Sequence, residues 1–238
     1  MQGLDDKRAI VTGAASGIGR AAARALAAAG VRVIGFDLQA AEPRNPGDVA
    51  TLAVDVTSET AVRHGVGAAV ARLGAVDILV NSAGIEIDEP LAGADVATLD
   101  RMYAVNVRGT FLMGRALLPH LADGSRIINL ASELAYLGRA GSSAYAATKG
   151  AIISLTRSWA RELGPRVLVN AVAPGPTDTP LLHFDTLSPQ VQALELSNPL
   201  GRIGRPEEIA AVIVFLAGAG ASFITGQCFG VDGGAAMH

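Results

Sequence analysis

Residues 7–30 read KRAIVTGAASGIGRAAARALAAAG. The first six are a short apolar run that ends in glycine-rich sequence, the pattern of a buried strand. Gly13, Gly17 and Gly19 follow at a strand-to-helix turn, and an alanine-rich helix continues until Gly30 stops it. Glycines at such a turn let the backbone adopt positive φ and come close to a ligand. The helix start beyond them offers unpaired N–H groups and a positive dipole end, which suits a phosphate. The spacing is Gly-x-x-x-Gly-x-Gly rather than Gly-x-Gly-x-x-Gly. Many βα turns are glycine-rich, so the turn acquires meaning only from its place after a first strand and before a helix.

The rest of the chain repeats that alternation. Strands are expected at 31–36, 50–54, 76–80, 126–131, 167–173 and 228–231. Helices are expected at 57–73, at 95–121 with an interruption near Asn106, at 144–163, and from Arg205-Pro206-Glu207-Glu208 onward. Proline and acids in a first turn favour a helix start. Residues 40–47 form a polar, proline-containing loop, and 181–200 read as a substrate lid with one or two short helices. No repeat, low-complexity tract or linker divides the chain. Alternating strands and helices with right-handed crossovers predict an α/β fold. It is a doubly wound, Rossmann-type single domain over 1–238, with a seven-stranded parallel sheet and helices on both faces.

In such sheets ligands bind outside the carboxyl ends of the strands. Gly13, Asp37, Asn81 and Ser132 each stand just past a predicted strand, so all four fall on one edge. A carboxylate at the end of the second strand accepts hydrogen bonds from both adenosine ribose hydroxyls and repels a 2′-phosphate. Asp37 therefore predicts NAD over NADP; no basic residue stands among Leu38–Ala41, and Ala15 and Ser16 are neutral. Asp55, before Val56, either meets the adenine amino group or caps the helix that begins near Ser58. Asn81-Ser82-Ala83-Gly84 supplies small residues that keep the fourth strand end open. Asn106, between Val105 and Val107, makes either a buried packing bond or a functional one.

Tyr145 and Lys149 are one helical turn apart and share a face. A phenol has an unperturbed pKa near 10, and a neighbouring ammonium favours the phenolate. Such a pair suits general acid–base work at neutral pH. Lys149 and Lys7 are the only lysines among 19 cationic residues, so the compact ammonium is a specific choice.

Composition excludes several classes. Half of the 238 residues are hydrophobic and only 4% aromatic, which suits helices packed on a sheet rather than an aromatic-rich all-β domain. The net charge is −3 and no basic run occurs, so no nucleic-acid footprint is present. Cys228 is the only cysteine, which precludes an internal disulfide or a cysteine metal cluster. His64, His120, His183 and His238 show no close metal spacing, and no catalytic metal is expected. The N-terminal segment lacks an apolar h-region, and the tract from Ile209 is broken by glycines and polar residues. A cytoplasmic protein without membrane contact is the expectation.

Thr12-Gly13-x-x-x-Gly17-Ile18-Gly19, Asn81-Ser82-Ala83-Gly84, Asn106, Ser132, Tyr145-x-x-x-Lys149 and Pro174-Gly175 run in one order over nearly the whole chain. In this the sequence resembles the short-chain dehydrogenase/reductase family, compact single-domain branch; Ser82 departs mildly from the usual Asn-Asn-Ala-Gly. The resemblance implies an NAD-dependent oxidoreductase interconverting a secondary alcohol and a ketone, assembled as a homotetramer through the two long helices and the C-terminal region. Tyr145 would be the general acid/base, Lys149 would lower its pKa and bind the nicotinamide ribose, and Ser132 would orient the substrate oxygen. Asn106 would hold a water relaying protons to Lys149. Cofactor contact would fall on Gly13, Ser16, Gly17, Ile18, Gly19, Asp37, Asp55, Val56, Asn81, Ala83, Gly84, Tyr145, Lys149, Pro174, Gly175, Thr177 and Thr179, with Thr177 on the carboxamide. Ser132, Leu134, Tyr145 and Leu181 would meet a small alcohol or ketone. Ile85, Leu134, Tyr136, Leu137, Leu181 and Phe184 suggest a mainly apolar substrate pocket, which Glu86 and Glu133 could also face. The alternatives are a 3-ketoacyl-thioester reductase and a non-catalytic dinucleotide-binding regulator.

Overall fold

The computed structural model describes residues 3–43 and 47–237; part of the 40–47 loop and His238 lie outside them. Strand β1 is Arg8–Thr12, and helix α1, Gly17–Ala28, follows the glycine turn. Then come β2 (Arg32–Asp37), β3 (Thr51–Ala53), α2 (Glu59–Leu73) and β4 (Val76–Asn81). A helical run follows as α3 (Val96–Met102), a π-helical turn Tyr103–Gly109, and α4 (Thr110–Leu117). Next are β5 (Leu121–Leu130), α5 (Leu134–Leu137), α6 (Ser143–Leu163) and β6 (Val167–Pro174). The chain closes with α7 (Pro189–Glu195), α8 (Pro206–Ala217) and β7 (Cys228–Val231).

All seven strands are parallel, in the order β3-β2-β1-β4-β5-β6-β7. The order reverses between β1 and β4, and the two strands are in register from Ala9 opposite Ile78 to Thr12 opposite Asn81. The strand period of two sends successive apolar residues to opposite faces. Ala9, Val11, Ile78 and Val80 pack toward α1 and α8, while Ile10, Leu79, Ile127 and Val169 pack toward α2, α4 and α6. Burial of each such side chain is worth about 1.5–3 kcal/mol relative to exposure, so both faces are firmly covered. The alanines of α1 keep its surface low; Ala21, Ala22 and Ala23 are buried in one cluster with Ile209, Ala210 and Ile213 of α8.

Strand β5 begins five residues earlier than the sequence predicts. Its polar start, Ala122–Ser125, carries turn residues, yet the ladder holds there through other bonds. Gly124 N donates to Arg166 O at 2.8 Å and Ser125 Oγ donates to Val76 O at 3.1 Å. The interruption expected near Asn106 is the π-helical turn, a feature that inserts one residue into a helix and re-aims its side chains. No helix among the described residues is long and apolar enough to cross a membrane.

Candidate active site

A cavity of about 350 Å³ lies over the carboxyl ends of β1, β2, β4, β5 and β6. At one end are Gly13, Ser16, Gly17, Ile18, Gly19, Asp37, Asp55 and Val56; at the other are Ser132, Leu134, Tyr145, Lys149 and Leu181. Ala83, Gly84, Pro174, Gly175, Thr177 and Thr179 also line it.

The dinucleotide end is built by backbone proximity. Gly13 has φ +66°, and a Cβ there would sit 3.0 Å from the Ala83 Cα. A Cβ on Gly19 would meet Gly13 O at 2.1 Å, an impossible contact, so glycine alone allows α1 to start against the turn. Thr12 Oγ1 accepts from both Ser82 N and Ala83 N at 3.0 Å, tying the loop after β4 to the end of β1. Asp37 accepts from Ala15 N at 2.9 Å through one oxygen and from Leu38 N at 2.8 Å through the other. Its carboxylate is thereby fixed at the cavity rim with lone pairs left for a further donor. The glycine cradle, the start of α1 and this carboxylate fit the pyrophosphate and adenosine ribose of a nicotinamide dinucleotide. Asp55 accepts from Thr57 N and Thr57 Oγ1, and Ser58 caps α2 by accepting from Ala61 N. The cap therefore belongs to Ser58, and Asp55 turns the chain while lining the cavity.

Two expected site residues do not reach the cavity wall. The Asn81 side-chain amide is turned beneath the sheet edge, where Nδ2 donates to Asn129 Oδ1 at 2.9 Å. Asn129 Nδ2 donates in turn to Thr156 Oγ1, so the two amides form a polar link from β4 through β5 to α6. The strand period points Asn81 away from the side on which Ser82 lines the cavity. Asn106, aimed inward by the π-helical turn, holds the Ile85 backbone from both sides. Its Oδ1 accepts from Ile85 N and its Nδ2 donates to Ile85 O, each at 2.9 Å, and Nδ2 also donates to Thr148 Oγ1. Asn106 thus fixes the loop that carries Gly84 and Glu86, and it ties that loop to α6.

At the other end Ser132, Tyr145 and Lys149 are all buried. Lys149 Nζ donates to Leu130 O at 2.8 Å and lies 5.6 Å from the centre of the Tyr145 ring. Burial lowers the Lys149 ammonium to about 8, with Glu86 acting the other way. The expected acidification of Tyr145 by Lys149 is not what this environment produces. Burial pushes the phenol well above its ordinary value, and Glu86 and Asp88 push in the same direction. The Ser132 hydroxyl and Arg139 favour the phenolate but do not outweigh burial. Removing a group this completely from water penalises its anion more than nearby cations help it.

Beside Tyr145 the pocket has the expected Ile85, Leu134 and Leu181 in its wall, together with charged residues. Tyr136, Leu137 and Phe184 do not line it, whereas Glu86, Glu133, Arg139 and Glu195 do. Arg139 donates to Glu195 at 2.6 Å and to Glu86 and Asp88 at 3.2 Å each. Burial raises Glu86 and Glu133 to about 7, with Asp88 adding to the shift at Glu86 and Asp232 at Glu133. Arg139 and Glu195 escaped the sequence reading. The available signals were a charged residue between Ser132 and Tyr145, and an acid closing the short helix α7. Among the described residues no three His, Cys, Asp or Glu side chains form a metal-binding group.

A family model described as enoyl-(acyl carrier protein) reductase matches residues 13–236. The cis-4-hydroxycyclohexanecarboxylate dehydrogenase of Sinomonas cyclohexanicum is 42% identical, over 96% of this chain and 96% of that protein. The 3-ketoacyl-(acyl-carrier-protein) reductase of Brucella melitensis, solved with NADH, superposes with a TM-score of 0.89 at 34% identity, covering 99% of this chain and 100% of that one. A blue fluorescent protein from a metagenomic library, solved with NADPH, superposes with a TM-score of 0.90, also at 34% identity, covering 99% and 100%. These matches run the length of the chain and accompany the glycine turn, Ser132 and the Tyr145/Lys149 pair: the chain belongs to the short-chain dehydrogenase/reductase family.

Proposed function

We propose that the protein is an NAD-dependent oxidoreductase that interconverts a secondary alcohol and a ketone. The observation that carries this is one cavity with the Gly13–Gly19 cradle and Asp37 at one end and Ser132, Tyr145 and Lys149 at the other. NAD, when bound, accepts or donates the hydride and in its oxidised form brings positive charge near the phenol. Tyr145 gives a proton to, or takes it from, the substrate oxygen, and Ser132 orients that oxygen by a second hydrogen bond. In the environment described, the phenol is held protonated, the form that donates to a ketone oxygen. Lys149, anchored on Leu130 O, holds its remaining donors over Gly84, whose own Cβ would lie 3.5 Å from Nζ. This is the position for a ribose hydroxyl. Thr177 and Thr179, with Pro174 and Gly175, line the cavity and would hold the carboxamide of the bound cofactor. Asn106 acts as a positioning residue for Ile85 and Thr148.

Asp37 supports NAD over NADP, because a fixed carboxylate at the ribose position opposes a 2′-phosphate. The same residue weighs against a ketoacyl-thioester reductase that uses NADPH, and not against one that takes NADH, with which the Brucella melitensis reductase was solved. The intact Ser132, Tyr145 and Lys149 weigh against a regulator without catalysis. We read residues 181–200 as a lid, the assembly as a homotetramer and the cytoplasm as its location. The test is reduction of NAD by a panel of secondary alcohols, repeated with NADP and with Asp37→Ala. Turnover with NAD preferred, and a narrower preference in the variant, is expected. No turnover with any alcohol refutes the function, and an unchanged cofactor ratio refutes the role of Asp37.

A further inference from the structure

Glu133 directly follows Ser132, yet nothing in the reaction described above uses it. The residue is 7% exposed, lines the cavity, and its Oε2 is buried with no hydrogen-bond partner. An unpartnered buried carboxylate oxygen costs stability, on the order of 1–3 kcal/mol or more, unless a ligand satisfies it. Its backbone is fixed: Glu133 N donates to Pro174 O at 3.0 Å, so the side chain stands where β5 and β6 open into the cavity. Oε2 approaches Gly175 closely, and a Cβ there would meet it at 2.9 Å. Glu86, on the loop fixed by Asn106, lines the same end, as does the Arg139 guanidinium. The chain thus lines the cavity that holds Tyr145 with acceptors (Glu86, Glu133) and donors (Arg139, Ser132).

Candidate substrates differ in how they meet this set. A simple alcohol or an acyl chain leaves Glu133 Oε2 unsatisfied. An anion faces Glu86, Glu133 and Glu195. A cation is opposed by Arg139 and Lys149. A chain or ring bearing several hydroxyls satisfies both kinds of group, because each hydroxyl donates once and accepts twice. We propose that Glu133, Glu86 and Arg139 form a hydroxyl-reading subsite, so that the substrate is a polyhydroxylated alcohol such as a polyol or sugar. The proposal rests on the reading that Tyr145 exchanges the proton of the reacting hydroxyl. The carboxyls of Glu86 and Glu133, both raised to about 7, accord with acceptors whose partner arrives with the substrate.

The test compares kcat/KM with NAD for threitol, xylitol, glucose and myo-inositol against cyclohexanol and 3-hydroxybutyrate. The wild-type enzyme is expected to prefer at least one polyol or sugar over cyclohexanol by about tenfold or more, and to disfavour 3-hydroxybutyrate. Glu133→Gln, close in size, is expected to lower the polyol-to-cyclohexanol ratio about tenfold, the range for losing a hydrogen bond to a charged group. Glu86→Gln gives a second, independent ratio. Preference of the wild type for cyclohexanol or 3-hydroxybutyrate, or ratios unchanged in both variants, would overturn the subsite while leaving the oxidoreductase reading intact. Failure to oxidise any alcohol would instead overturn the proposed function, and this subsite with it.

Discussion

Tyr145 shows how a local pattern and its surroundings can disagree. The four-residue spacing to Lys149 and the buried face were readable, because a helix places i and i+4 together. The sign of the phenol shift was not, because it depends on carboxylates from the loop after β4 and on complete burial. Glu86 raises both groups, so Glu86→Gln should move the apparent pKa of the acid–base step in a kcat/KM pH profile downward; an unmoved profile would show that Glu86 does not face the phenol. The stability consequence runs through Glu133. A carboxyl at about 7 when folded, against an ordinary 4.5, keeps its proton longer in the native state. The contribution of this group to stability is therefore fully present below pH 4.5 and is lost as pH rises through 7, a difference of roughly 2–3 kcal/mol. Glu133→Gln should raise Tm at pH 8 by about 5 °C and leave it unchanged near pH 4.5, as thermal melts at the two pH values would show.

At the scale of elements, strand and helix alternation fixed the order of pieces, and the two sheet faces followed from the strand period. The π-helical turn was visible only as an oddly placed asparagine, since the Ile85 backbone that Asn106 bonds lies 21 residues away in the chain. The pull of Arg139 on α7 was not visible at all: 56 residues separate Arg139 from Glu195, and only the fold brings them together. Glu195 is buried at the end of α7, so this ion pair ties α7, within the segment proposed as a lid, to the pocket wall. Arg139→Ala should leave buried carboxylates without a partner and loosen α7. Limited proteolysis within 181–200 should then be faster than in the wild type, and NAD with a substrate should slow cutting of the wild type. Equal cutting in all conditions would remove the clamp and the lid together.

Across the whole molecule, the exposed aromatic side chains outside the cavity mark two regions. Tyr103 and Phe111, the latter against the Trp159 ring at 6.2 Å, mark the outer face of the π-helical turn, α4 and α6. Phe215, Phe223 and Met237 mark the face near α8 and the C-terminal segment, with Phe223 fully exposed. Were each face self-complementary, the two together would generate a dimer of dimers related by two-fold axes, the homotetramer proposed above. Light scattering should give a four-chain mass, and Phe111→Asp or Phe223→Asp should each reduce it toward a dimer. A monomeric wild type would contradict that assembly without touching the chemistry. The proposed chemistry stands on Tyr145 as the proton carrier at one end of the cavity. The direct measurement is NADH formation and NAD affinity in Tyr145→Phe beside the wild type. Loss of turnover by about 10³-fold with NAD affinity within twofold is the predicted result; turnover within tenfold of the wild type would contradict it.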